Sequence, residues 1–539
     1  MKLPSMKASG FTPWPEETVR HYQEAGYWTE QTIPEMLEVS AQTYPEQVAL
    51  VSGDQQWTYQ ALADQVDELA AGFQQKLKLK AGDKAVLHLP NIGAFYLSFF
   101  ALLKIGVQPV LALPAHRYYE IRYFCHFTEA KTLITAPQMG VDTADIAQKV
   151  ANELPTLETI VWAGENSLKP TGSVDLDSLF LSNAETEPMP EQDFAFFQLS
   201  GGTTGTPKLI PRTHTDYLYS VRASNDVCEF SPQTRYLCVL PAAHNFPLSS
   251  PGALGCFMAG GTVVLSPDPS PQTAFQLIEN HQITVAALVP PLALLWLDEA
   301  PRTQYDISSL QVLQVGGARF SEAAAKRVKP TLNCTLQQVF GMAEGLVNYT
   351  RLDDPDSVIV STQGRPMSPA DEILVVNEMG EPVPQGTAGM LCARRPYTIR
   401  GYYNAPEHNQ RSFISGGYYR TGDVVVLTKE GNLQVVGRDK EQINRGGEKI
   451  AAQEIENHLM VHDAVHDAAV IAIPDDYLGE RSCAALVCLE EKPKPIEIKR
   501  FLRNRGLAEF KIPDRVIFVD VLPKTPVGKI NKKKLLELV

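Results

Sequence analysis

Three glycines and four hydroxyl-bearing residues run ahead of a single lysine in LSGGTTGTPKLIPRTH, Leu199 to His214. Glycine lets backbone N–H groups come close to an anion, the hydroxyls add donors, and Lys208 adds a positive charge, so the composition suits a polyphosphate. It is not a Walker A loop. Pro207 occupies the glycine place before the lysine and Leu209 the Ser/Thr place after it, which removes the best argument for a P-loop kinase. Taken as composition alone, such a stretch is more often a flexible connection.

Other residue types able to do chemistry stand further along. Glu344 lies in QQVFGMAEG, Asp423 ends YRTGD, and Lys529 sits in PKTPVGKI. Alone, each has an ordinary reading: a solvated glutamate, turn chemistry after Thr-Gly, and a surface lysine. His244 alone reads as a satisfied structural histidine. Eight cysteines are spread from Cys125 to Cys488, and only Cys483 and Cys488 lie close, with four residues between them. This spacing offers neither a metal cage nor a disulfide framework and fits a reducing cytoplasm.

The elements that must position these residues follow from periodicity. KAVLHL, AFYLSFFALLKIG and VQPVLAL, and later GTVVLSP, TAFQLIENHQ and ITVAALVP, read as strand, helix, strand. Buried strands joined by helices imply parallel pairing, so most of the chain is expected to be layered α/β. From Thr398 the texture turns to RGYYNAPEHN and SGGYYRTGD, then VVVLTKEGNLQVVGRDK, which predicts a hairpin turning at Glu430-Gly431-Asn432. The expected organisation is a large layered α/β N-terminal domain, residues 1–437, and a small mobile α+β C-terminal domain, residues 438–539. In the second, Gln453 to Met460 reads as helix, HDAAVIAIP as strand, and PIEIKRFLRNRG as a helix from Pro495 stopped by Gly506.

Apolar and charged shares of 44% and 20% are ordinary for packed domains. MKLPSMKASGFTPWPEE does not read as a signal peptide, and the apolar run Phe95 to Ile105, broken by Lys104, is too short to span a membrane. A net charge of −14 opposes nucleic-acid binding. Against that background, Lys494 to Lys534 carries 12 lysines and arginines and 4 acids. That is either a solvated basic face or a docking surface for an anionic partner.

The full string SGGTTGTPK closely resembles the phosphate-binding signature of the adenylate-forming superfamily of acyl- and aryl-CoA ligases, firefly-type luciferases and peptide-synthetase adenylation domains. The resemblance continues in order through QVGGAR, QQVFGMAEG, YRTGD, GRDKEQINRGGEKI and PKTPVGKI, over nearly the whole chain. It implies ATP and Mg²⁺. Ser200, Gly201, Gly202, Thr203, Thr204, Gly205 and Lys208 would face the phosphates. Gly317, Ala318, Arg319, Val339, Phe340, Gly341, Met342 and Ala343 would line the nucleotide site, with Asp423 and Arg438 on the ribose. Glu344 would hold Mg²⁺, a hard cation that prefers carboxylate oxygens. Lys529 would be the catalytic cation placed where charge develops. Lys440 would be a hinge, and Arg445, Gly446 and Gly447 a loop presented to the adenylate for thiolation.

FTPWPEETVRHYQEAGYW, AAHNFPLSSPG and FGMAEGLVNYTRLDD resemble the stand-alone aryl-acid AMP ligases of siderophore synthesis, in particular those for 2,3-dihydroxybenzoate. The resemblance implies an aryl-acid pocket of His244, Asn245, Phe246, Ser250, Gly316 and Val347. Asn245 would bond the ring 2-hydroxyl, and Ser250 and Val347 would surround the 3-position, where salicylate ligases tend to carry Cys and Leu. Phe246 departs from the subgroup's usual tyrosine. The implied reaction is formation of the aryl adenylate from ATP, then transfer to the phosphopantetheine thiol of an aryl carrier protein on another chain. Coenzyme A as acceptor, salicylate as substrate, and a non-catalytic binding protein on the same scaffold are the alternatives.

Overall fold

The computed structural model describes residues 10–539 except 139, 166–168, 188, 191, 201–206, 439–441, 489–491 and 524–531. Gly201, Gly202, Thr203, Thr204, Gly205, Lys440 and Lys529 therefore lie outside the described residues, as does the side chain of Arg438.

The alternating runs form the expected elements. Strand Lys84–His88, helix Gly93–Lys104 and strand Gln108–Leu111 are consecutive, and so are Thr262–Leu265, Pro271–His281 and Val285–Leu288. The helix Pro271–His281 shows why its ends fall where they do. The Ser270 hydroxyl accepts from Thr273 N, proline opens the first turn, and Gln282 closes the helix in a left-handed conformation.

These units build two sheets. One has seven strands, from Val174–Asp175 at one edge through Lys84–His88 to Phe196–Leu199 and Leu209–Arg212 at the other. Its neighbours pair in parallel except the last two. The other has nine strands, parallel through its centre from Val48–Ser52 to Thr335–Met342 and antiparallel at both edges. Buried strands covered by helices explain the near-continuous apolar runs. Helix Gly93–Lys104 is buried on nearly every face, and Phe95, Phe99 and Phe100 join a core that reaches Phe196 and Phe257.

An antiparallel five-stranded sheet follows, in which Tyr418–Leu427 pairs with Leu433–Arg438. Their turn passes through Gly431 at φ 82°, where the sequence places it. A last five-stranded sheet contains Gln442–Arg445, Glu448–Ala451, Asp467–Asp475, Gly479–Val487 and Arg515–Phe518. Helices Ala452–Leu459 and Pro495–Asn504 pack on it through Ile455, Leu459, Ile498 and Leu502. All eight cysteines are unpaired; seven are buried and Cys488 is partly so. Burial pushes the thiols of Cys125, Cys238 and Cys334 up to about 12 and that of Cys483 to about 11. Among the described residues no helix is long and apolar enough to cross a membrane.

Candidate active site

Strands Phe196–Leu199 and Leu209–Arg212, which flank the glycine- and threonine-rich stretch in sequence, pair antiparallel at a sheet edge with Leu199 opposite Leu209. Ser200 N donates to Lys208 O at 3.0 Å across the base of that stretch. Further along the second strand Arg212 is fully buried, paired with Asp216 at 2.8 Å, and donates to Ala343 O at 2.6 Å and Tyr397 O at 3.1 Å. That guanidinium fastens the loop's strand to the turn bearing Glu344. Gly345 must be glycine there: its φ is 103°, and a Cβ would stand 2.0 Å from Tyr397 O.

Glu344 is buried, and its Oε1 accepts from Tyr402 Oη at 2.8 Å. Tyr402 shares a second hydrogen bond with Tyr419 at 2.9 Å, and Lys208 Nζ lies 5.6 Å from the Tyr402 ring centre. Burial, reinforced by Glu344, pushes the Tyr402 phenol well above its usual range, so it remains a donor. Among the described residues nothing bonds Glu344 Oε2, which leaves one carboxylate oxygen on the cavity wall for a hard cation.

A second side is built on the short helix Asn245–Ser249. His244 caps it, with Nδ1 accepting from Phe246 N at 3.3 Å, which puts the ring proton on Nε2. Burial and then the nearby Lys449 charge hold the imidazole down at about 4, so it is neutral at ordinary pH. Phe246 closes the pocket against Gly316, where a Cβ would meet the phenyl ring at 3.1 Å and Val339 O at 2.6 Å. Ser250 is buried nearby.

The third side comes from the C-terminal sheet. The turn joining Gln442–Arg445 to Glu448–Ala451 reaches the large domain: Asn444 Nδ2 donates to Gly317 O at 3.4 Å, and a Cβ on Gly447 would stand 2.9 Å from Val289. Gly446 lies beside Pro291 and Leu478. Arg445 points elsewhere, into a two-pronged pair with Asp514 at 2.7 and 2.8 Å. Next to this turn, buried Lys511 donates to Glu454 at 2.8 Å and, across the domains, to Glu120 at 2.9 Å.

One cavity of about 230 Å³ joins the three sides. Of the residues assigned from the sequence, Ser200, Lys208, Glu344, His244, Asn245, Phe246, Ser250, Gly317, Val339, Gly341, Met342, Ala343 and Gly447 line it. Ala318, Arg319, Phe340, Gly316, Val347, Asp423, Arg445 and Gly446 stand off its wall. Val347 is buried behind Gly341, Arg319 is exposed, and Asp423 is buried in its strand with Arg438 opposite in register. The wall also holds His116, Tyr402, Tyr419, Glu448, Glu454 and Lys511, which sequence reasoning missed. Tyr402 was hidden in RGYYN, which carries only a turn signal, and Lys511 in a count of basic residues.

Residues 37–403 match the family model for the AMP-binding enzyme, and residues 454–529 that for the AMP-binding enzyme C-terminal domain. The chain belongs to the AMP-binding enzyme family. This AMP-binding enzyme is 58% identical to the vibriobactin-specific 2,3-dihydroxybenzoate-AMP ligase of Vibrio cholerae serotype O1, over 97% of each chain. It is 53% identical to the 2,3-dihydroxybenzoate-AMP ligase of Bacillus subtilis, over 98% of each. Among solved structures, apo MbtA of Mycobacterium smegmatis superposes with a TM-score of 0.76 at 40% identity, covering 98% of this chain and 99% of that one. The fold is that of the adenylate-forming enzymes, with a large α/β N-terminal and a small C-terminal domain.

Proposed function

We propose that this AMP-binding enzyme activates 2,3-dihydroxybenzoate with ATP, releasing pyrophosphate, and passes the aryl group from the adenylate to the phosphopantetheine thiol of an aryl carrier protein in siderophore biosynthesis. The observation that carries this reading is the single cavity that joins a small ring pocket to a lysine, a buried carboxylate and an inserted glycine turn.

In this reading Asn245 and Ser250 meet the ring hydroxyls, with Phe246 as an apolar wall and neutral His244 beside them. The aryl carboxylate is thereby aimed at the α-phosphate, which Lys208 and the glycine-rich loop hold; holding two reactants in register supplies much of such a rate enhancement. Mg²⁺ bound at Glu344 would neutralise phosphate charge as pyrophosphate leaves. Tyr402 keeps the Glu344 carboxylate turned toward the cavity. Asp423, with Arg438 opposite, serves the ribose, and Lys529 supplies the catalytic cation. The small domain starts near residue 438 and turns about Lys440. The Arg445-Gly446-Gly447 turn, packed on Val289 and Gly317, guides the incoming thiol. The unpaired cysteines support a cytoplasmic location.

Pyrophosphate exchange over a panel of benzoates, followed by thioester formation with carrier protein against coenzyme A, tests both half-reactions. The expected outcome is strongest exchange with 2,3-dihydroxybenzoate and transfer to the carrier protein. Preferred transfer to coenzyme A would overturn the second half.

A further inference from the structure

We propose that Tyr217 is a positioning residue that fixes which end of the Asn245 amide faces the substrate's 2-substituent, so that the pocket selects a hydroxyl there over an amine. The inference rests on the reading that Asn245 meets the 2-position of the ring.

Tyr217 is buried on helix His214–Cys228. Its hydroxyl accepts from Gln198 Nε2 at 3.3 Å and donates to Asn245 Oδ1 at 2.9 Å. The order of donation follows from the inventory of hydrogens. A side-chain amide nitrogen has no lone pair to offer, so Gln198 must give to the phenol, and the phenol's one proton goes on to Asn245. Ser249 Oγ also faces this Oδ1, at 3.4 Å, but its one proton has the shorter bond to Asn245 O at 3.2 Å. The phenol's proton therefore marks the carbonyl end of the amide, and this is the bond that distinguishes its oxygen from its nitrogen.

The Nδ2 end has no partner among the described residues, and Asn245 lines the cavity, so the amide presents donors to a ligand. The Tyr217 ring is held in place: the Arg212 guanidinium carbon lies over it, 4.9 Å from its centre, and the Phe196 ring packs perpendicular to it at 4.8 Å between centres. Burial pushes the phenol up to about 12, so its proton is retained at working pH.

Chemistry at the 2-position decides what a donor selects. An ortho hydroxyl gives its proton to the neighbouring carboxylate and turns a lone pair outward, which the Asn245 NH₂ satisfies. An ortho amine gives one hydrogen to the carboxylate, turns the other outward, and has its lone pair delocalised into the ring. It needs an acceptor, and facing an NH₂ it leaves two donors opposed in a buried site.

The test uses 2,3-dihydroxybenzoate and 2-amino-3-hydroxybenzoate, which differ only at that substituent. kcat/KM for pyrophosphate exchange is measured in the wild type, Tyr217→Phe, Asn245→Ala and the double variant. Tyr217→Phe keeps the ring packing and frees the amide to turn, so the preference for the hydroxyl should narrow by about tenfold, the scale of one hydrogen bond made or stranded. Gln198→Met, which removes the hydrogen that obliges the phenol to donate, should move the ratio in the same direction. In the Asn245→Ala background there is no amide to orient, and Tyr217→Phe should leave the ratio unchanged. An unchanged ratio in Tyr217→Phe, or an equal shift with and without Asn245, overturns the inference alone. A wild type that exchanges with neither acid overturns the proposed function and this inference with it.

Discussion

Ser250 and Val347 stand as a wall of the cavity and the backing behind another part of it. Ser250 lines the cavity, while Val347 Cγ2 lies 3.4 Å from where a Cβ on Gly341 would stand. A larger residue at 347 therefore presses on the pocket through a glycine strand. Ser250→Cys with Val347→Leu should shift kcat/KM toward salicylate by ~1–3 kcal/mol, the range for changing one small group in a pocket. Pyrophosphate exchange with both acids measures it, and an unchanged ratio removes the pair from the specificity argument. Lys529→Ala should lower adenylate formation at least ~100-fold while sparing transfer from preformed adenylate; equal losses in both half-reactions would contradict its assigned role. Lys208 and Glu344 were legible because each sits in a contiguous motif. Tyr402 and Tyr217 were not, since they act on partners 58 and 28 positions away and their own neighbours carry no sign of it.

At the scale of elements, the local signals were the readable ones. Proline, capping serine and glycine mark helix ends within a few residues, so Pro271–His281 and Pro495–Asn504 could be read from sequence. Strand order could not, because the partners are distant: Val48–Ser52 pairs with Thr262–Leu265. Nor could the basic face of Pro495–Asn504 be apportioned. Lys499 Nζ is spent on Asp514 O at 2.7 Å and Arg503 pairs with Glu509, which leaves exposed Arg500 as the member of the three without a partner among the described residues. If this face steers an acidic carrier protein, Arg500→Glu should raise the carrier's apparent KM about threefold at low salt. The effect should fade at high salt, with exchange unchanged. Loading at the normal KM in low salt would leave the helix a solvated face.

For the whole molecule, the telling feature is the buried group of Glu120, Lys511 and Glu454 where the domains meet. One ammonium faces two carboxyls, and burial, partly offset by Lys511, pushes Glu454 up to about 7. His116 and His458 nearby are held below their usual range by burial, then by the Lys511 charge at His116 and by the Arg505 and Lys511 charges at His458, so neither imidazole supplies a second cation. A raised carboxyl pKa contributes stability that is fully present below the ordinary glutamate range and is lost as pH rises through about 7. Above that, two buried carboxylates share one lysine. Urea unfolding from pH 5 to pH 8 should therefore show the wild type losing about 1–3 kcal/mol relative to Glu454→Gln, given roughly 1.4 kcal/mol per pKa unit. Parallel pH profiles for the two proteins would refute the assignment.

The distribution of thiols gives the protein an internal clock. A thiol held protonated by its surroundings is inert to alkylation, so it is modified only when its surroundings open. Cys488 is partly exposed and should react first; Cys483 lies in the sheet of the small domain, and the remaining six buried cysteines lie in the large one. Under excess reagent, peptide mass spectrometry should find Cys483 labelled ahead of those six if the small domain opens by itself. A single shared rate would mean that the two domains come apart only in one cooperative event.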